Sequence, residues 1–207
     1  MPLNDFIGTL QKIKSKRAKD SSGTMSSAAP NGGSSVNLAG SAFASKESFL
    51  LEKRIQNAAA NLEDRVLTLR STAAEGPVQI GVMTRPFQLK KGKKYLLTLD
   101  VEAKELKKVK PSGYILLYMI NLNIGKHSWV GLNGSGSDKV TLMLPFEADK
   151  LIHGKSMPCA LFRMVNYSGN LKLSNMSLTE IPGESDMQRG AMLPDGKIVP
   201  GVSYMLK

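Results

Sequence analysis

Residues 167–182 read "YSGNLKLSNMSLTEIP", and this stretch decides what kind of core the chain can build. Leu171 and Leu173 alternate with polar neighbours, which is the period of a half-buried strand. Carried on strictly, the alternation would bury Asn175, Ser177 and Thr179 and turn Met176 and Leu178 outward. One extra residue near Ser174-Asn175 returns both apolar side chains to the core, so the spacing predicts a β-bulge there. The competing reading is a strand that moves from one neighbour to another. Pro182 ends the run.

Working back along the chain, the same period of two recurs. Val78, Ile80 and Val82 alternate with polar or small residues. Tyr95, Leu97, Leu99 and Val101 share one face, as do Val140, Leu142 and Leu144, and Ala160, Phe162 and Met164. The segment "YILLYMINL" from Tyr114 is apolar on both faces, as a central strand covered on each side would be. Turn signals separate these runs: "KKGKK", "KPSGY", "NGSGSD", "HGKSMP" and "NYSGN". Many short strands without intervening helical patterns predict an all-β fold over residues 76–182, an antiparallel two-sheet jelly-roll sandwich.

The flanks have other textures. Residues 1–45 read as an extended, basic and low-complexity anchoring arm, with Phe6, Ile7, Leu10, Ile13 and Phe43 as its apolar contacts. Its stretch 21–45 is too small and polar to fold alone, so ordering it requires another surface to lie against. Residues 46–75 lack Gly and Pro up to the end of "LRS" and predict one α-helix with Ser45 or Ser48 as N-cap. Ile55, Ala59, Leu62, Val66 and Leu69 follow four- and three-residue steps, either a face packed on the domain or a short helical seam between subunits. Residues 183–207 form a tail or hairpin around "LPDGK", expected to lie on the domain or on a neighbour because an isolated hairpin is marginal in water.

Three blocks carry a resemblance: "PFQLKKGKKYLLTLDVEA" (86–103), "WVGLNGSGSDKVTLMLPFEA" (129–148) and "SGNLKLSNMSLTEI" (168–181). Together they resemble the carbohydrate-binding-module type of galactose-binding-like jelly roll, over about half the chain. The final strand departs from that pattern at Ser174, where the family often has an acidic residue. The resemblance implies aromatic platforms for sugar stacking, and Trp129, Tyr114 and Tyr118 are the residues that could supply a glycan contact. Tyr114 and Tyr118 share a strand face with Leu116, which also suits a core position. Domains of this type also occur in phage virion proteins, behind an N-terminal arm or helix.

Lys and Arg outnumber Asp and Glu by 28 to 17 in 207 residues, a formal charge of +11. Such an excess favours an acidic partner without specifying it. Lys12, Lys14, Lys16, Arg17 and Lys19 are the densest basic run and could meet nucleic acid or an acidic protein surface. The start of the chain puts its charges after its apolar patch, the reverse of a secretory signal. No apolar run approaches the ~20 residues that span a bilayer. The sequons at Asn133, Asn166 and Asn175 therefore read as coincidental. Cys159 is the single cysteine, and His127 and His153 have no further ligands nearby, so neither a metal nor a cofactor is expected. "GLNGSGSD" lacks the following helix and Lys-Ser/Thr of a phosphate loop. Asp100, Glu102 and Glu105, set among lysines, read as a solvated charged edge rather than as paired catalytic carboxylates. No enzyme is expected.

The sequence expectation is a structural virion protein, assembled in a host cytoplasm: a capsid decoration (cement) protein or coat subunit bound to a major capsid protein or other virion subunits through its arm, and homotrimeric. The alternatives are a carbohydrate-binding module of a viral fibre and a coat protein that binds nucleic acid.

Overall fold

The structure is a computed structural model that describes residues 36–53, 58–72, 78–120, 129–148, 157–181 and 188–207, with Glu52 and Lys53 as backbone only. Among these described residues thirteen strands form two sheets. They are β1 (Phe49–Lys53), β2 (Ala58–Glu63), β3 (Val66–Ser71), β4 (Gln79–Thr84), β5 (Lys94–Lys108), β6 (Tyr114–Ile120) and β7 (Trp129–Asn133), followed by β8 (Gly136–Glu147), β9 (Cys159–Val165), β10 (Tyr167–Glu180), β11 (Gly190–Met192), β12 (Ile198–Pro200) and β13 (Ser203–Met205). One sheet has the order β1-β4-β9-β6-β7-β13 and the other β12-β11-β8-β5-β10-β3-β2. Strand pairing is antiparallel except between β7 and β13, which run parallel. Between β4 and β10 the chain changes sheet at almost every connection, the path of a jelly roll.

The core lies where the period-two patterns meet. Tyr95, Leu97, Leu99 and Val101 of β5 face Ile115 and Leu117 of β6 and Phe162 and Met164 of β9, all essentially without solvent contact. Strand β10 shows the predicted irregularity. Ser174 pairs with Asp100 and Ser177 with Thr98, so three steps on β10 match two on β5. Asn175 sits at φ 48° as the extra residue, and Met176 and Leu178 are buried beside Leu171 and Leu173.

Among the described residues of 46–75 there is no α-helix. Lys46–Ser48 make one 3-10 turn, and β1, β2 and β3 occupy most of the segment after it. The helical seam is therefore corrected. Ile55 lies outside the described residues, Ala59 is exposed, Leu62 and Val66 are half-buried, and of the four described only Leu69 is fully buried. The buried set among the described residues is Phe49, Ala58, Leu67, Leu69 and Ser71, which on β3 has the period of a strand. Asp64 and Arg65, at φ 48° and 63°, make the two-residue hairpin turn whose twist matches the flanking strands. Helix propensity is worth only tenths of a kcal/mol per residue. Pairing β3 along β10 and burying Leu67 and Leu69 outweigh it.

The arm boundary shifts too. Strand β3 covers β10 only over Gly169–Leu173, and beyond that residues 36–45 take over. Leu38 N donates to Leu178 O at 2.8 Å, while Asn37 Oδ1 accepts from the backbone of Leu178 and Ala39. Ala39, Ala42 and Phe43 are buried behind this contact. At the other end the tail is woven into both sheets. Its β11–β12 hairpin adds to β8, β13 adds to β7, and Ser137 N donates to Lys207 O at 3.2 Å.

Candidate functional site: an aromatic face on the six-stranded sheet

Alternation along β6 sends Ile115, Leu117 and Met119 into the core and leaves Tyr114, Leu116, Tyr118 and Ile120 half-buried on the outer face. Register then decides what stands beside them. Trp129 of β7 is directly across from Tyr118, and on the other side Leu161 of β9 is. Leu116 lies between Gly131 and Arg163, and Tyr114 is across from Val165. A side chain on Gly131 would collide with the carbonyl of Ile115, so the strand runs bare there. Neighbouring strands are ~5 Å apart and the rise is ~3.4 Å per residue, which places Tyr118 and Trp129 side by side and Tyr114 ~13 Å along the same strand.

Among the described side chains of β4, β6, β7 and β9, Arg163 is the charged one on this face. Its Cζ lies 5.9 Å from the centroid of the Tyr118 ring, a cation–π distance. Arg189 Nη1 donates to the carbonyl of Trp129 at 3.3 Å and ties the start of β7 to the C-terminal segment. Met83, Cys159 and Leu161 are buried on this same side, outside the core cluster, and form an apolar floor toward β4. The result is a sheet face of aromatic rings with one guanidinium among them. Such a surface can stack on the apolar C–H face of a ring and offer hydrogen-bond donors at its margin.

The three expected sugar contacts thus come together, and Trp129 belongs to a strand rather than to a loop. Sequence patterning did not single out Arg163, although it is the lone charge in the apolar run "CALFRMV". Other expected contact residues do not join the site. Phe43, expected as an anchoring contact, is buried in the chain's own core, edge-on to Phe49 at 6.1 Å. Phe6, Ile7, Leu10 and Ile13 lie outside the described residues, as do Lys12, Lys14, Lys16, Arg17, Lys19, His127 and His153.

Two chemical readings are settled by surroundings. Cys159 is buried, its Sγ donates to Met157 O at 3.4 Å, and burial pushes its thiol up to about 12, so it stays protonated. Asp100 and Glu102 are on no edge, because β5 is flanked by β8 and β10. Asp100 accepts from Thr141 Oγ1 at 2.5 Å and Asn175 Nδ2 at 2.9 Å, and Glu102 pairs with Lys172 at 3.7 Å.

No family model matches the chain, and no curated protein does. Among solved structures, the enzymatically active domain of tailspike protein 4 from bacteriophage CBA120 is similar at a TM-score of 0.46 and 11% identity, covering 70% of this chain and 21% of that one. The chain thus corresponds to about a fifth of that tailspike domain. The N-terminal cellulose-binding domain of Cellulomonas fimi β-1,4-glucanase C is similar at 0.44 and 13%, covering 69% and 93%. A carbohydrate-binding module described as recognising mannan scores 0.38 at 14%, covering 72% and 96%. With every score below one half, the geometry of the chain itself has to carry the functional reading.

Proposed function

We propose that the chain is a carbohydrate-binding module whose site is the outer face of the six-stranded sheet. One observation carries this reading: Tyr114, Tyr118 and Trp129, from two separate strands, stand on one outward face with Arg163 among them. Aromatic rings in that position displace water from the apolar face of a sugar, and the guanidinium donates to its hydroxyls. The spread from Tyr114 to Trp129 exceeds one sugar ring, so the ligand is an oligosaccharide. The descriptions of the similar solved modules point the same way but at those scores add no argument. A decoration or coat role on a virion loses Phe43 from its anchor, and its other anchors lie outside the described residues. The homotrimer loses its helical seam.

The test is a broad glycan array with the intact chain and its Trp129→Ala and Tyr118→Ala variants. The parent should bind at least one polysaccharide. Each variant should lose about 2 kcal/mol of affinity or more while keeping its melting temperature, because these side chains lie outside the core. Silence of the parent across the array, or full binding by Trp129→Ala, overturns the reading.

A further inference from the structure

The outer face of the seven-stranded sheet has a different chemistry. There β3, β5, β8 and β10 bring Arg70, Lys104, Lys107, Lys139 and Lys172 to one surface. Arg70 stands across from Asn170, and Asn170 across from Lys104. Lys107 stands across from Ser168, and Glu102 between Lys172 and Lys139. The residues next to these cations, Leu69, Leu106, Val140 and Leu171 among them, are buried, so alternation turns all five outward, and all five are exposed.

A second bulge builds this surface. Between Ala103 and Leu106, three steps on β5 match two on β8, with Glu105 at φ 53°. Gly169 of β10 makes room for it at φ 110°, where a Cβ would come within 2.5 Å of the Glu105 carbonyl oxygen. Without the extra residue, Lys107 would share the inward parity of Ala103. With it, Ala103 and Leu106 both face the core and Lys104 and Lys107 both face out. The bulge re-aims a lysine onto a basic surface.

The charges on this surface are poorly compensated. Glu102 pairs with Lys172, whereas Arg70, Lys104, Lys107 and Lys139 make no ion pair with any described residue. Lone surface lysines are ordinarily just solvated. Here strand register gathers five cations on one face, with neutral Asn170 and Ser168 and a single carboxylate, Glu102, as their cross-strand neighbours on β10 and β5.

We infer that this face binds an acidic polysaccharide through its sulfate or carboxylate groups. No aromatic side chain stands on it among the described residues, so it offers nothing on which bases could stack. Thr68, Ser168 and Asn170 lie between the cations and suit sugar hydroxyls. The inference concerns a different face from the aromatic site and stands independently of it.

The experiment titrates the full chain with a heparin oligosaccharide and, separately, with a single-stranded DNA oligonucleotide of matched charge, each over a range of salt. Heparin should bind, and the single strand, which finds no ring to stack on, at least tenfold more weakly. Substituting Arg70→Gln, Lys104→Gln and Lys107→Gln together should weaken heparin at least tenfold and flatten the log–log salt slope by about one per residue. Substituting Lys14→Gln, Lys16→Gln and Arg17→Gln should change neither. The triple sheet variant should melt as the parent does. If it does not, Lys107→Gln alone carries the comparison, with a weaker affinity and a slope flattened by about one. Parental heparin affinity in the sheet variants, loss confined to the N-terminal variant, or equal affinity for DNA would each overturn the inference.

Discussion

Asn175 Nδ2 donates to Asp100 Oδ2 at 2.9 Å, while Thr141 Oγ1 holds the other carboxylate oxygen. The bond fastens the bulge of β10 to β5 at the point where their register slips. Asn175 is also in the left-handed region, which Asn tolerates and β-branched residues do not. Asn175→Val should therefore cost about 2 kcal/mol. Asn175→Gly, which loses only the amide bond, should cost about 1 kcal/mol. Urea unfolding of the two variants separates the contribution of backbone conformation from that of the hydrogen bond.

Phe43 distinguishes an arm from a core. Buried against Phe49, it should cost about 3–5 kcal/mol when truncated to Ala. A side chain reserved for docking elsewhere would leave the free chain's melting temperature unchanged, so thermal unfolding of Phe43→Ala decides between the two.

Arg65 occupies the second position of the Asp64-Arg65 turn at φ 63°, where Gly is favoured. Arg65→Gly should stabilise the chain by about 0.5–1 kcal/mol, read as a higher denaturation midpoint at an unchanged slope. A helix in this region would instead be weakened by Gly, so the sign of the effect also tests the hairpin.

Tyr204 Oη donates to Asp138 Oδ2 at 2.7 Å, and this bond raises the phenol to about 12. A group whose folded pKa lies above its unfolded value of ~10 stabilises the fold below that pH and loses the contribution as the pH climbs toward 12. Tyr204→Phe should be less stable than the parent by a constant margin below about pH 10, and the margin should shrink between 10 and 12. Melting curves across that range provide the check.

Several features were legible from residues alone. The polar pair at Ser174-Asn175 pointed to an extra residue, because Leu171, Leu173, Met176 and Leu178 all suit the core, and the register of β10 on β5 decided for it over a change of neighbouring strand. The face shared by Tyr114 and Tyr118 followed from parity. Which side of β6 that face would occupy did not, since the strand is apolar on both sides and alternation has no preferred direction. Nor could Trp129 be set beside Tyr118 without the register between β6 and β7, which alternation alone does not fix. The segment 46–75 reads as a helix because its good helix formers hide the alternation of Leu67 and Leu69, and because its turn uses Asp-Arg where Gly would have announced it.

Residue order was enough to predict the strands seen within the described residues 78–120, 129–148 and 157–181, which of their side chains share a face, and a bulge in β10, since period and parity are local properties. Long-range pairing was needed to bring residues 36–53 and 58–71 into the sandwich and to set Arg163 of β9 beside the aromatic rings of β6. Those outcomes depend on contacts between distant segments. There, burial and ladder hydrogen bonds outweigh the tenths of a kcal/mol per residue that local propensity supplies.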